Sequence, residues 1–215
     1  MRLRKIKNIE EKIKNYSDII VFDAVSKKGK WNSQFKNENP IYLEIGMGKG
    51  KFLLEHARLN PNINYIGCEL SDSVIYKAAE KAEKAKQEEN ITNLLMINND
   101  ACMLNDIFSS GEVSKVYLNF SDPWPKSRHA KRRLTADTFL NVYKNLLGVD
   151  GIIEMKTDNR KLFEFSLMKF NEFGWIFEEL SLDLHSDKED IITTEYEDRF
   201  VNLGQQIYYV KVRIK

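Results

Sequence analysis

Cysteine is scarce in this chain of 215 residues, with Cys68 and Cys102 the only two. Neither has a second Cys or a His at metal-ligand spacing, so no metal site is expected, and both read as buried free thiols of a reducing compartment. Long hydrophobic runs are missing too. No stretch approaches the roughly 18 apolar residues that cross a bilayer, and the charged amino-terminal residues lack the apolar core of a signal peptide. A cytoplasmic protein without a membrane partner is the expectation. An excess of either charge is also absent: 33 Lys and Arg stand against 32 Asp and Glu, a formal net charge of +1. Bulk charge therefore selects no partner. There is no internal repeat and no low-complexity linker, and a composition of 42% hydrophobic and 30% charged residues excludes wholesale disorder.

What is present is a regular alternation. From Ile41 onward, short apolar runs at Ile41–Ile45, Tyr65–Cys68, Leu94–Ile97, Val116–Leu118 and Ile152–Met155 predict five buried parallel strands. Between them lie helical patterns. The clearest runs from Asp72 to Glu89, with an N-cap at Ser71 or Asp72 and a stripe of Val74, Ile75, Ala78, Ala82 and Ala85. A second starts near Thr135 and places Ala136, Phe139, Leu140, Tyr143 and Leu147 on one face, with Gly148 as a stop; a third covers Asn159 to Phe173 before Gly174. Strand and helix in steady succession predict a doubly wound α/β sheet of the Rossmann-like kind. Near the end, Tyr208, Val210, Val212 and Ile214 alternate with Tyr209, Lys211, Arg213 and Lys215, the period of an antiparallel strand with one wet face, and Leu180, Leu182 and Leu184 alternate in the same way. A single domain over residues 1–215 is expected, with 41–215 as its core and 1–40 as a basic arm or cap carrying a helix around Ile9 to Ile20.

The first strand runs directly into Glu44-Ile45-Gly46-Met47-Gly48-Lys49-Gly50. Glycines there let the backbone turn sharply and approach a ligand. A phosphate-cradling P-loop needs Gly five positions before Gly50 and Ser or Thr after Lys51, but Ile45 and Phe52 stand there; a dinucleotide fingerprint needs a third Gly where Lys51 stands. The acid two residues before Gly46 would repel a pyrophosphate and attract the ammonium and sulfonium charges of S-adenosyl-L-methionine. Glu69 ends the second strand, 23 positions after Gly46, where a carboxylate can hold both ribose hydroxyls, and Asp100 ends the third, near the expected adenine. The bland alternative is a set of solvated strand-end acids.

After the fourth strand comes Asn119-Phe-Ser-Asp-Pro-Trp-Pro-Lys126, then Arg128-His-Ala-Lys-Arg-Arg133. An acid, an aromatic and two rigid prolines share this loop with five positive charges, at the carboxyl end of a strand, where open α/β sheets bind ligands. Such a loop suits a nucleic-acid base and its phosphates. Trp124 reads either as a stacking platform or as a core residue. His129 belongs with the basic patch, whereas His56 and His185, without a recognisable partner, read as structural.

With a methyl donor and a nucleic-acid loop side by side, the chain resembles the bacterial tRNA (guanine-N7-)-methyltransferase family. The resemblance rests on Glu44–Gly50, Asn119–Lys126, Arg128-His-Ala-Lys-Arg-Arg-Leu-Thr135, Lys156-Thr-Asp-Asn-Arg160 and Thr194-Glu-Tyr-Glu197, and extends to Met1–Arg4, although Ile6 to Glu10 departs from the Pro-Trp stretch common in relatives. It implies the Rossmann-like fold of class I S-adenosyl-L-methionine-dependent methyltransferases and methyl transfer to N7 of a guanosine in the tRNA variable loop, usually position 46. Residue by residue, it implies that Glu44, Glu69, Asp100 and Asp122 contact the cofactor together with Gly46, Gly48 and Gly50, and that Asp122 is catalytic. Lys126, Asp158, Thr194, Glu195, Tyr196 and Glu197 would bind substrate, and Arg128, His129, Lys131, Arg132 and Arg133 would bind RNA. Without the resemblance, Thr194 to Glu197 would read as a wet acidic loop. Two rivals stand beside this reading: methylation of an exocyclic base amine, and a non-catalytic RNA-binding module on the same fold. Monomer and homodimer are both compatible with the sequence.

Overall fold

A computed structural model describes residues 6–215, so Arg2, Arg4 and Lys5 of the basic arm lie outside the described residues. The chain forms two compact units, one ending at Phe108 and the other running from Ser109 to Lys215.

In the first unit the order is α1 (Ile9–Lys14), α2 (Trp31–Phe35), β1 (Ile41–Ile45), α3 (Lys51–Leu59), β2 (Asn64–Cys68), α4 (Asp72–Glu89), β3 (Leu94–Ile97) and α5 (Leu104–Ile107). The strands lie in the order β3-β2-β1, all parallel, with Ile41 opposite Asn64 and Tyr65 opposite Leu94. All five residues of β2 are buried, which is why its sequence is continuous and apolar instead of alternating. The small stripe Ala78, Ala79, Ala82 and Ala85 of α4 is buried with Ile75. Small residues bring α4 close: a Cβ on Gly50 would come within 3.2 Å of the Ala78 Cβ.

The helix expected over Ile9 to Ile20 stops at Lys14, because Asn15 caps it and the chain turns to pair with β3. Met96 N donates to Ile19 O (2.8 Å) and Val21 N to Met96 O (2.8 Å), a one-residue bridge that covers the outer edge of β3. Ile20 and Trp31 are fully buried, and Trp31 Nε1 donates to Ile107 O at 2.9 Å.

The second unit runs β4 (Val113–Asn119), α6 (Asp137–Leu146), β5 (Leu147–Thr157), α7 (Arg160–Glu172), β6 (Ile176–Ser181), α8 (Leu184–Asp187), α9 (Glu195–Val201) and β7 (Tyr208–Arg213). Strand order is β4-β5-β7-β6; β4 and β5 are parallel, and β7 is antiparallel to both β5 and β6. Two expectations shift here. Gly148 does not stop a helix: α6 ends at Leu146, and Gly148 lies within β5, where a Cβ on it would come within 3.6 Å of Gly111. The Leu180–Leu184 alternation is not one strand. β6 ends at Ser181, Leu182 is exposed, and Leu184 is buried at the start of α8, because Ser181 Oγ accepts from Asp183 N and turns the chain. The wet face of β7 carries ion pairs, with Lys211 on Glu178 (3.1 Å) and Arg213 on Glu178 (2.8 Å) and Asp150 (2.7 Å).

Candidate active site

The glycine loop follows β1. Gly46, Gly48 and Gly50 have φ of +76°, +58° and +76°, the left-handed region that L side chains rarely adopt. At Gly46 and Gly48 a Cβ would meet nothing within 4 Å, so the backbone angle, not crowding, requires glycine, and the loop leaves open space above it. The loop is anchored below. Gly46 N and Met47 N both donate to Cys68 O (2.8 and 3.2 Å), and the buried Met47 side chain lies over Gly67, where a Cβ would come within 2.1 Å of its Sδ. Gly67 on β2 is thus a companion of the loop that strand patterning alone did not single out.

Glu44 is buried at 1% exposure near the end of β1. Glu69 follows β2 and accepts from Gly48 N (3.1 Å) and Ser71 N (2.9 Å). Burial pushes its carboxyl above the usual carboxylate range, against the lowering effect of those backbone donors. Asn98, a residue the sequence reading passed over, braces this strand end by donating to Glu69 O at 2.9 Å. Asp100 is exposed and caps the turn after β3, accepting from Cys102 N at 2.9 Å. The two thiols differ. Cys68 is buried, donates to Asn99 O, and is pushed up to about 12 by desolvation, but Cys102 is exposed beside Asp100, so the expectation of two buried thiols fails for it. Its place on a turn after the strand, not in the strand, is the reason.

In the second unit the loop after β4 is twisted at two points. Phe120 and Trp124 have φ of +51° and +40°, left-handed for bulky residues, and Trp124 also precedes a proline. Asp122 lies between them with its side chain exposed. The strain is held by neighbours. Phe120 N donates to Lys156 O (2.9 Å), and Arg133 donates through Nε to Pro123 O (3.0 Å) and through Nη2 to Trp124 O (3.1 Å). Trp124 is neither core nor bare platform: Arg132 lies 4.9 Å over its ring and His129 meets it edge-on at 5.7 Å. Lys126, Arg128, Lys131 and Arg132 are exposed along the 3₁₀ turn Ser127–Arg132, and Arg133 is half-buried.

The structure brings the remaining candidates of this unit together. Tyr196 packs against Phe120 with the rings tilted (5.0 Å), and its hydroxyl donates to Asp158 Oδ2 (3.2 Å). Thr194 caps α9 in a capping box, accepting from Glu197 N (2.9 Å) while Glu197 Oε2 accepts from Thr194 N (3.2 Å). Glu197 is fully buried, not part of a wet loop. Lys156 Nζ donates to both its oxygens (3.2 and 3.1 Å) and to Ile192 O (2.8 Å), and His185 Nε2 lies 2.9 Å from Oε1. His185 therefore has a partner that the sequence could not reveal, twelve positions away. Glu195 is half-buried at the start of α9. His56 packs on Phe52 and Tyr65 (4.4 and 5.8 Å). Among the described residues no three His, Cys, Asp or Glu side chains converge as metal ligands, and no helix is long and apolar enough to cross a membrane.

Residues 38–210 match a family described as putative methyltransferase. A Bacillus velezensis protein named tRNA (guanine-N(7)-)-methyltransferase is 49% identical over 99% of this chain and 96% of its own. This chain belongs to the tRNA (guanine-N7-)-methyltransferase family. Members with the same name from Bacillus subtilis and Clostridioides difficile are 48% and 46% identical, over 99% and 97% of this chain and 98% and 96% of theirs. Among solved structures, the 16S rRNA methyltransferase KamB aligns with a TM-score of 0.66 at 14% identity, covering 87% of this chain and 93% of that one. An Aquifex aeolicus SAM-dependent methyltransferase aligns with a TM-score of 0.57 at 11% identity, covering 98% and 100%. These likenesses show the fold: Rossmann-like and mostly parallel, with antiparallel C-terminal strands. For this tRNA (guanine-N7-)-methyltransferase family member, every candidate site residue from Glu44 to Glu197 lies inside the matched residues.

Proposed function

We propose that this enzyme transfers the methyl group of S-adenosyl-L-methionine to N7 of a guanosine in tRNA, at position 46 of the variable loop, in the cytoplasm. Near full-length similarity to proteins of that name supports the reaction. The observation that carries the chemistry is Asp122, an exposed carboxylate on a loop whose backbone is pinned on both sides.

The cofactor supplies an electrophilic methyl on a sulfonium centre. The first unit fits it. Open space over Gly46 and Gly48 gives a backbone cradle, the Glu69 carboxylate suits a ribose diol, Glu44 and Asp100 would hold the ammonium and adenine ends, and no Lys or Arg replaces the acids at these strand ends.

N7 of neutral guanine already carries a free lone pair, so no proton is removed before attack and no histidine base is needed. Placement lowers the barrier, good orientation being worth about 7–11 kcal/mol. Asp122 accepts from guanine N1–H and the N2 amine, fixing the base and stabilising the positive charge that grows on the ring. Lys126, Asp158, Thr194, Glu195 and Tyr196 contact the target nucleotide. Glu197, engaged on both oxygens, serves by holding Thr194 and Tyr196 in place. Arg128, His129, Lys131 and Arg132 meet RNA phosphates, with residues 41–215 as the catalytic core.

Incubation with unmodified tRNA and labelled donor, followed by nucleoside analysis, tests the reaction. The expected product is 7-methylguanosine; N6-methyladenosine or N2-methylguanosine in its place overturns the assignment.

A further inference from the structure

The run Arg128–Arg133 reads in sequence as one basic surface, but its last member points the other way. Two donors of the Arg133 guanidinium bind the carbonyls of Pro123 and Trp124, at 3.0 and 3.1 Å, and its face lies 4.4 Å over the Phe165 ring of α7. These two carbonyls belong to the peptide units on either side of Trp124. Fixing both sets φ and ψ of that residue, the one held left-handed at +40° between two prolines. Pro123 adjoins Asp122, and its ring locks the next torsion, so the grip on Trp124 is transmitted to the Asp122 backbone. A planar fork is needed for this, since a lysine offers one point charge and cannot satisfy two carbonyls while stacking on an aromatic ring.

We propose that Arg133 is a positioning residue of the Asp122 loop and not a phosphate ligand. The inference rests on the reading of Asp122 as the catalytic residue. It divides the basic run by function: Arg128, Lys131 and Arg132 are exposed, whereas Arg133 is half-buried with two of its five N–H donors on carbonyls of the Asp122 loop.

Arg133→Lys keeps the charge and removes the fork. Its turnover at saturating tRNA is expected to fall about 10- to 100-fold, the scale of a slight misplacement of reacting groups, while tRNA Kd stays within about threefold and its salt dependence is unchanged. Phe165→Leu, which alters no charge, withdraws the surface under the guanidinium and is expected to lower turnover in the same direction with the same salt dependence. Arg128→Ala serves as the contrast, raising Kd and flattening the salt slope by about one. Thermal melting of Arg133→Lys identifies the protein that must be folded for the comparison, and Phe165→Leu carries the test if it is not. A weakened tRNA affinity with a flatter salt slope and unaltered turnover in Arg133→Lys, or unaltered turnover in Phe165→Leu, overturns the proposal. Asp122→Ala separates the two readings. If it stays active, the catalytic assignment fails; if it is inactive while Arg133→Lys and Phe165→Leu turn over normally, only the positioning role fails.

Discussion

Glu69 shows how a single side chain ties fold to ligand. Two backbone donors hold its carboxylate, yet burial raises its protonation range. The sign is definite: an acid whose folded value is raised contributes stability that is present below its unfolded value and is lost as pH rises through the folded one. In the ligand-free protein the ionised Glu69 is therefore a cost, and acidification relieves it. Cofactor binding depends on the ionised form, so it responds in the opposite sense. Calorimetry from about pH 7 down to about pH 4 is expected to show S-adenosyl-L-methionine affinity falling at a pH above the ordinary carboxylate range. Glu69→Gln should weaken binding by about tenfold or more and abolish that pH dependence. An affinity that holds constant down to ordinary carboxylate values would show that Glu69 does not bind the ribose. Cys102 illustrates the limit of residue-type reasoning: Cys is usually buried, but a turn after a strand end is exposed whatever occupies it.

Elements are joined by residues whose partners lie far away in the sequence. Gly67 sits in β2 because Met47 of the glycine loop occupies the volume of its missing side chain. Gly67→Ala should destabilise by roughly 1–3 kcal/mol through overpacking and weaken the cofactor as the loop shifts; urea unfolding and calorimetry read the two effects. Lys156, at the end of β5, grips Glu197 of α9 and Ile192 O, and His185 completes the buried set. Lys156→Met leaves a buried carboxylate with one lost partner and is expected to cost roughly 3–5 kcal/mol, whereas Lys156→Met with Glu197→Leu should recover much of it. A Lys156→Met protein of normal stability would mean that α9 is not held by this pair. The Leu180–Leu184 pattern misled at this scale for a definite reason. Period-two spacing persists across a turn whenever the turn itself returns a side chain to the core, as Leu184 returns at the start of α8.

At the scale of the whole molecule, near-zero net charge hides a local field. Lys126, Arg128, Lys131 and Arg132 are exposed along one short turn without an acid among them. If they meet phosphates, the slope of log Kd against log salt should fall by roughly 2–3 when Arg128, Lys131 and Arg132 are all changed to Ala, with affinity lost about equally for different tRNAs. An unchanged slope would place the RNA elsewhere on the surface.

The sequence by itself determined the strands β1 to β5, through their continuous apolar runs, and the places of the glycine loop, the strand-end acids and the proline loop, because these are local patterns whose physics is complete within a few residues. Helix ends and the N-terminal segment were less legible. After Asn15 the chain leaves α1 for a bridge to β3, and at Leu147 it leaves α6 for β5, sheet contacts that no local propensity encodes. Only the tertiary structure decided which charges turn inward. Arg132 and Arg133 are identical neighbours in the sequence, but one lies on Trp124 at the surface and the other holds the loop carbonyls. Likewise, Glu197 in an acidic segment is buried by Lys156, 41 positions away. Such assignments depend on what a side chain meets across the fold, since a charge is solvated or paired according to its surroundings and not its neighbours in the chain.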